Sequence, residues 1–140
     1  MKIKYVAQKD PCGCAVACIS MVTGIPYDKV AARLEADLSK NGLASEITRN
    51  FVTDAGFSVI EAIAHGYNMI SQSNKRMARP FADIHIVSVL PFADSEFNHA
   101  VVMDKRGRIY DPDSLKRKDL SHYYYIVRVQ GYFDDRAKRR

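Results

Sequence analysis

Residues 14–22 constrain the fold of this chain more than any other segment. Their sequence, CAVACISMV, is almost entirely small or apolar, and the apolar side chains recur at the three- and four-residue spacing of an α-helix. A helix that is apolar on every side has to be buried on most sides. Gly24 and Pro26 follow, and this is a usual way for a helix to end. The rest of the chain is therefore expected to pack around this helix.

Further helices are predicted directly after the first one, and strands later in the chain. Apolar spacing predicts helices over roughly 27–39 and 44–55, the latter with Ser45 as N-cap. Segments rich in β-branched and aromatic residues predict strands at 57–63, 82–90, 98–104, 108–111 and 122–133, and alternation predicts a short strand at 3–7. A hairpin turn is predicted at 104–107. Helices first and strands last favour an α+β fold, with N-terminal helices packed on a C-terminal antiparallel sheet.

The size and composition of the chain fit one globular domain. It has 140 residues, of which 47% are hydrophobic and 26% charged, enough apolar residues for a core. We expect a single domain over residues 1–135 and a basic tail over residues 136–140. The net charge of +5 is concentrated at the two ends. This placement predicts a solvated tail and disfavours a nucleic-acid partner.

The cysteines and the N-terminus predict a cytoplasmic protein. Cys12, Cys14 and Cys18 lie within seven residues, whereas a secreted disulfide framework spreads an even number of cysteines along the chain. The first ten residues, MKIKYVAQKD, lack the apolar segment of a signal peptide, and no apolar run approaches the roughly 20 residues that span a bilayer. We therefore expect reduced thiols and no membrane span, while the oligomeric state stays undetermined.

Cys14 is the candidate nucleophile of the cluster. It follows a turn that contains Pro11 and stands at the first turn of the predicted helix. The free backbone N–H groups and the positive dipole end at that position favour a thiolate. Cys18, one helical turn further on, is predicted to pack in the core as a small hydrophobic residue. Cys12 precedes the helix and remains an alternative.

A nucleophilic thiol needs a base, and His99 is the best candidate for it. If the turn at 104–107 closes a hairpin, Asp111 lies within about two residues of the position opposite His99, which is within side-chain reach on one sheet face. Asp111 could then accept the imidazole N–H and fix the tautomer. The backbone N–H of Cys14 and the side-chain amide of Gln8 are candidate donors to an oxyanion.

Other functions for these residues are less favoured. Three cysteines and a histidine could bind zinc, but the spacing C-x-C-x3-C matches no common zinc finger, and no metal or organic cofactor is expected. The remaining histidines, His65, His85 and His122, lack comparable partners and are predicted to be surface or packing residues. The adjacent tyrosines Tyr123, Tyr124 and Tyr125 are predicted to alternate between core and surface.

Residues 8–21, QKDPCGCAVACISM, resemble the N-terminal motif of C39 peptidases, a papain-like family best known from bacteriocin-exporting transporters. In that family a glutamine stands six residues before the nucleophilic cysteine and a methionine seven residues after it, as Gln8 and Met21 do around Cys14. Residues 98–104, NHAVVMD, resemble the strand that opens with the catalytic histidine. Residues 109–112, IYDP, resemble the Asp-Pro segment that supplies the third member.

The resemblance implies a papain-like fold and a cysteine peptidase or amide hydrolase that forms a thioester with a peptide or protein substrate. It implies Cys14 as nucleophile, His99 as base, Asp111 as the residue that orients His99, and Gln8 as oxyanion donor. The same residues could serve an acyltransferase or transglutaminase-like enzyme. A peptide-binding module without turnover is a further alternative.

The chain departs from the family at the nucleophile itself. The family usually has Asp-Cys-Gly there, whereas this chain has Gly13, Cys14 and Ala15. An alternative register takes Cys12 and Gly13 as the Cys-Gly pair. That register leaves the glutamine only four residues before the cysteine, so Cys14 is preferred.

Overall fold

The computed structural model of the chain describes residues 2–10, 13–34, 45–63, 79–92, 95 and 97–139. Within these residues three α-helices come first: α1 (Cys14–Thr23), α2 (Tyr27–Leu34) and α3 (Ser45–Asp54). The described part of the chain then has five strands: β1 (Phe57–Ile63), β2 (Ile84–Leu90), β3 (His99–Asp104), β4 (Ile109–Tyr110) and β5 (Tyr125–Asp134). This order confirms the predicted α+β arrangement. The predicted continuation of α2 to residue 39 lies outside the described residues.

The strands form one antiparallel sheet in the order β1-β5-β2-β3-β4. Strands β3 and β4 form the predicted hairpin, in which Val102 pairs with Tyr110. The Gly107 N–H closes its turn by donating to the Asp104 carbonyl at 3.1 Å, and the φ of 89° at Gly107 is one that glycine adopts without strain. The hairpin matters for function because His99 begins β3.

Helix α1 is the centre of the core. All ten of its residues are buried, as expected for a helix that is apolar all round. It belongs to one apolar cluster with Ile86 of β2, Val102 of β3, Val30 of α2 and Val52 of α3. Among the helices and strands that the structure describes, Cys14 is therefore carried by the most enclosed one. Such a setting holds a reactive side chain more firmly than a surface loop would.

A second apolar cluster includes Tyr123 and Leu120, both from the segment between β4 and β5. They pack with Val101 and Met103 of β3 and with neighbouring residues of β2 and β5. Along β3, Val101 and Met103 belong to this cluster, whereas Ala100 and Val102 belong to the cluster of α1. The alternation shows that the two clusters lie on opposite faces of the sheet.

The prediction of a strand at 3–7 was wrong, since the structure has no strand there. The N-terminal segment instead runs beside the Asp-Pro segment. The Gln8 N–H donates to the Pro112 carbonyl at 3.0 Å, and the Tyr5 hydroxyl donates to the Asp111 carbonyl at 2.6 Å. Because proline has no N–H, Pro112 cannot return the hydrogen bond that a strand pair requires.

Arg136, the first residue of the predicted solvated tail, is anchored to the domain. Its guanidinium donates to the carbonyl of Thr23 at the end of α1, at 2.6 Å. It also lies 4.6 Å from the ring centre of Phe57, within the range of a cation–π contact. Arg136 nevertheless remains exposed, so these contacts fix the start of the basic tail without removing it from solvent.

Among the described residues, no single helix has the length and apolarity needed to cross a membrane. Helices α1 and α2 meet that test only when taken together, and the pair is bent by 116° at the break between them. Every residue of α1 is buried inside the protein.

Candidate active site

Cys14 is the first residue of α1. The preceding residue, Gly13, is the N-cap: its N–H donates to the Asp10 carbonyl at 2.9 Å, and its carbonyl accepts the Ala17 N–H at 3.1 Å. No side chain caps the helix at this position. The N–H groups of the first turn are thus not occupied by a capping side chain, and they favour negative charge beside Cys14. The Cys14 side chain is buried, with 8% exposed.

Gly13 is required by lack of space. A Cβ atom at this position would lie 2.2 Å from the hydroxyl of Tyr27. The same hydroxyl accepts the Lys9 N–H at 3.3 Å, so it is held by the loop that leads into the helix. The φ of −88° at Gly13 is open to every residue type. Crowding against Tyr27 therefore explains why glycine stands directly before Cys14.

The structure brings His99 into contact with both Asp111 and Cys14. His99 Nε2 lies 2.8 Å from Oδ1 of Asp111, and the imidazole lies close enough to Cys14 for the thiol to contribute to its raised pKa. Because the hairpin pairs Val102 with Tyr110, Asp111 comes diagonally opposite His99, within the two residues expected from the turn. Since Nε2 faces the carboxylate, Nδ1 is the nitrogen left for the thiol.

The surroundings of His99 favour its protonated form. Burial lowers the pKa of the imidazolium, but the hydrogen bonds and charges of Asp111 and Cys14 outweigh this effect and raise the pKa from 6.5 to about 9. Near neutral pH the ring therefore carries a proton while it lies beside Cys14. An imidazolium next to a cysteine is the arrangement that stabilises a thiolate.

Asp111 is fully buried, and its carboxylate is held from several sides. Oδ1 accepts the Asp113 N–H at 2.9 Å in addition to the His99 contact. Oδ2 accepts the hydroxyl of Tyr123, and a guanidinium nitrogen of Arg117 lies 3.9 Å from it. A buried carboxylate needs such partners because it has left water. The carboxylate is thus fixed as a hydrogen-bond acceptor for His99.

Tyr123 was not predicted to belong to the site. The predicted alternation of the three tyrosines is confirmed, with Tyr123 and Tyr125 buried and Tyr124 37% exposed. The sequence gives no signal for the contact with Asp111, because Tyr123 comes at the end of an irregular segment. The course of such a segment does not follow from any periodicity.

Gln8 lies between the two segments that flank the site. Its side-chain Nε2 donates to the Asp10 carbonyl at 3.0 Å, and its backbone N–H donates to the Pro112 carbonyl at 3.0 Å. A primary amide nitrogen carries two hydrogens, so the bond to Asp10 uses one of them. Gln8 is thereby tied both to the loop before Cys14 and to the residue after Asp111.

Cys18 is a core residue, as predicted. It is completely buried, and this burial raises the pKa of its thiol well above the ordinary value, with the charges of Cys14 and Asp111 adding to the effect. Cys12, the alternative nucleophile, lies outside the described residues. Within the described ranges, no group of three or more His, Cys, Asp or Glu side chains is placed to hold a metal ion.

His85 is a packing residue, as predicted. Its Nε2 accepts the N–H groups of Phe81 and Ala82 at 2.9 and 3.0 Å, so the Nδ1–H donates to the Met103 carbonyl at 3.1 Å. Burial lowers the pKa of this histidine, which is consistent with a neutral ring. His122 is exposed, and His65 lies outside the described residues.

The fold is similar to that of a solved protease. The crystal structure of a double glycine motif protease from an AMS/PCAT transporter, in complex with the leader peptide, matches with a TM-score of 0.68 and 15% sequence identity. The match covers 94% of this chain and 91% of that chain. The fold is C39-like. The predicted papain-like α+β fold is thereby confirmed. No protein-family model matches the sequence, and no curated protein matches it.

Proposed function

We propose that this protein is a C39-like cysteine peptidase that cleaves a peptide bond through a thioester on Cys14. The observation that carries the proposal is the placement of His99 beside Cys14, at the start of a buried helix, with its Nε2 hydrogen-bonded to Asp111. The similarity in fold to a protease solved with a leader peptide supports a peptide or protein substrate. The proposed reaction uses neither a metal nor an organic cofactor.

Acylation begins with attack of the Cys14 thiolate on the carbonyl carbon of the scissile bond. The negative charge that develops on the carbonyl oxygen is stabilised by the Cys14 N–H and by the Gln8 amide. His99 gives its Nδ1 proton to the leaving amine, the C–N bond breaks, and a thioester remains. Asp111 holds the Nε2–H and so keeps Nδ1 directed at the reacting atoms.

Deacylation reverses the proton transfer with water in place of the amine. The neutral His99 takes a proton from water as the oxygen attacks the thioester carbonyl. Collapse of the second tetrahedral intermediate expels the Cys14 thiolate and releases the carboxylic acid. The raised pKa of His99 suits acylation, because the imidazole already carries the proton that the leaving amine needs when substrate arrives.

Two exposed aromatic residues support a substrate with apolar side chains. Phe92 is 59% exposed and Phe97 is 50% exposed. Phe92 stands two residues after the end of β2, and Phe97 stands two residues before His99. Since Val89 near the end of β2 pairs with His99, both phenylalanines are close in sequence to the strand ends beside the candidate active site. An extended peptide bound at Cys14 would pass along such a surface.

The proposal places the activity in one domain, residues 1–135, and the protein in the cytoplasm. Cys14 and Cys18 are free cysteines in the structure. A reducing compartment keeps thiols in this state, which a thiolate nucleophile requires.

A small electrophile tests the nucleophile without knowledge of the substrate. Alkylation of each cysteine by iodoacetamide is followed by mass spectrometry between about pH 5 and 9, where thiolate formation controls the rate. We expect Cys14 to react much faster than Cys18 near neutral pH, and His99→Ala to slow it. Cys12→Ala is the matched control and leaves the rate at Cys14 unchanged. If Cys12→Ala alone abolishes the rapid labelling, the nucleophile is Cys12 and the proposed site is wrong.

Turnover is tested with a synthetic peptide library and product analysis by mass spectrometry. Hydrolysis by the wild type and none by Cys14→Ala is the expected result. Addition of a primary amine acceptor separates hydrolysis from acyl transfer, because a transferase gives the amide product. If peptides bind without being converted and the thiols show ordinary reactivity, the protein is a peptide-binding module and the peptidase proposal is wrong.

A further inference from the structure

Tyr123 contacts both members of the His–Asp pair. Its side chain is buried, and its hydroxyl donates to Oδ2 of Asp111, the carboxylate oxygen that does not face His99. Its ring lies against the imidazole of His99, with 5.4 Å between the ring centres and 35° between the planes. The reaction proposed for Cys14 assigns no part to this tyrosine.

The two oxygens of the Asp111 carboxylate are held unequally. Oδ1 has two hydrogen-bond donors, His99 Nε2 and the Asp113 N–H. For Oδ2, within the described part of the chain, the Tyr123 hydroxyl is the one donor at hydrogen-bonding distance. Without it, a buried oxygen would lack a partner, and the carboxylate would gain by rotating toward another donor. Such a rotation would turn Oδ1 away from His99.

Arg117 does not replace the hydroxyl in this arrangement. Its guanidinium nitrogen lies 3.9 Å from Oδ2 of Asp111, outside hydrogen-bonding distance. The same nitrogen donates to Asp113 at 2.8 Å and to the Tyr123 hydroxyl at 3.5 Å. Arg117 therefore donates to the Tyr123 hydroxyl, and the hydroxyl in turn donates to the Asp111 carboxylate.

We propose that Tyr123 is a positioning residue of this site: its hydroxyl holds the Asp111 carboxylate in the orientation that receives the His99 Nε2–H. Its ring supports the imidazole from the side, so the same residue limits movement of both partners. The inference rests on the proposed function, since the purpose of the arrangement is to keep Cys14 reactive. Tyr123 acts through Asp111 and His99 rather than on the substrate.

The first test removes the hydroxyl and keeps the ring. In Tyr123→Phe, the rate of Cys14 alkylation by iodoacetamide near neutral pH is expected to fall about tenfold, the usual effect of losing a hydrogen bond to a charged group. Tyr124→Phe is the matched control, because its hydroxyl has no hydrogen-bond partner among the described residues. That variant is expected to stay within about twofold of the wild type.

The pH profile shows whether the effect passes through His99. Loss of the His99 proton should appear as a step on the alkaline side of the plot of alkylation rate against pH. The hydrogen bond and charge of Asp111 raise the pKa of His99, so displacement of Asp111 in Tyr123→Phe should move this step to lower pH. A general loss of stability would lower the yield of folded protein without moving this step. An unmoved step combined with a slower rate would therefore overturn the positioning role.

A double-mutant cycle gives the decisive measurement. If Tyr123 acts through Asp111, adding Tyr123→Phe to Asp111→Ala changes the alkylation rate by less than about twofold. If the double variant shows the product of the two single-variant reductions in rate, Tyr123 does not act through Asp111. Asp111→Leu, which is similar in volume and has no hydrogen-bonding group, provides a second background should the alanine variant fail to fold.

The results also separate this inference from the proposed function. If wild-type Cys14 reacts no faster than an unfolded peptide containing the same cysteine, the proposed function fails. If wild-type Cys14 is highly reactive and Tyr123→Phe matches it in rate and in pH profile, the peptidase proposal stands and the role of Tyr123 is overturned.

Discussion

His99 and Asp111 lie diagonally across the β3–β4 hairpin, with 2.8 Å between Nε2 of the imidazole and Oδ1 of the carboxylate. The carboxylate is fully buried, whereas the His99 side chain retains 13% exposure. A proton on the ring is therefore held from the interior by Asp111, and the other nitrogen remains available to Cys14. The protonation state of His99 is the property of this site that experiments can read most directly.

Replacement of Asp111 by asparagine should lower the pKa of His99 from about 9. The amide carries no charge, so the hydrogen bond to the imidazolium is weakened and the electrostatic attraction is lost. We expect turnover to fall by at least about a hundredfold, because the ring loses its fixed tautomer. NMR titration of His99 gives the pKa change, with His122 as an internal reference. An unchanged His99 titration would contradict the role of Asp111.

Protein stability should depend on pH through His99. Its pKa in the folded protein, about 9, exceeds the ordinary value of 6.5, so the folded state binds this proton more tightly than the unfolded chain. The resulting stabilisation is fully present below about pH 6.5 and is lost as the pH rises through about 9. We expect the free energy of unfolding to decrease by roughly 2–3 kcal/mol over that interval.

Urea unfolding of His99→Gln measures this contribution of His99. The variant should lack the alkaline decrease, while His122→Gln, a control at an exposed histidine, should retain it. The same pH dependence in all three proteins would assign the effect to other groups.

Gly13→Ala should disturb the start of α1. The new methyl group would lie 2.2 Å from the Tyr27 hydroxyl, so the hydroxyl or the loop has to move. We expect a loss of about 1–3 kcal/mol in the free energy of unfolding, as is common for overpacked sites. Tyr27→Phe removes the oxygen and should restore part of the stability of the alanine variant. Equal stability of Gly13→Ala and the wild type would show that the crowding is absent in solution.

Gln8→Ala should separate turnover from thiol reactivity. Removal of one oxyanion donor lowers kcat by about 10²–10³ in enzymes of this chemistry. Alkylation by iodoacetamide forms no oxyanion, so its rate at Cys14 is expected to stay within a few-fold of the wild type. Peptide hydrolysis and alkylation are measured on the same preparations. A parallel loss of both would indicate that Gln8 shapes the loop and does not serve the oxyanion.

The elements that local signals define were predictable from the sequence. Gly24 ends α1 in a left-handed conformation, with φ of 79°, and Gly107 closes the hairpin turn. The proximity of His99 and Asp111 follows from the length of that hairpin, because a short turn leaves few possible registers. These parts depend on neighbouring residues and on period-2 or period-3.6 patterns.

The parts that depend on distant segments were not predictable in the same way. The order of the sheet places β5, the last strand, between β1 and β2, and no local pattern encodes that choice. Tyr123 reaches Asp111 at the end of an irregular segment. Residues 3–7 alternate like a strand, but their neighbour is a proline segment that cannot form a ladder.

The position of β5 has a consequence for the order in which the protein matures. A nascent chain that ends before residue 125 already contains Cys14, His99 and Asp111, yet it lacks the strand that joins β1 to β2. Pairing across such sequence distances is slow to form. We therefore expect fragments without β5 to be inert toward electrophiles and peptides. The proposed peptidase would remain latent until β5 is inserted between β1 and β2.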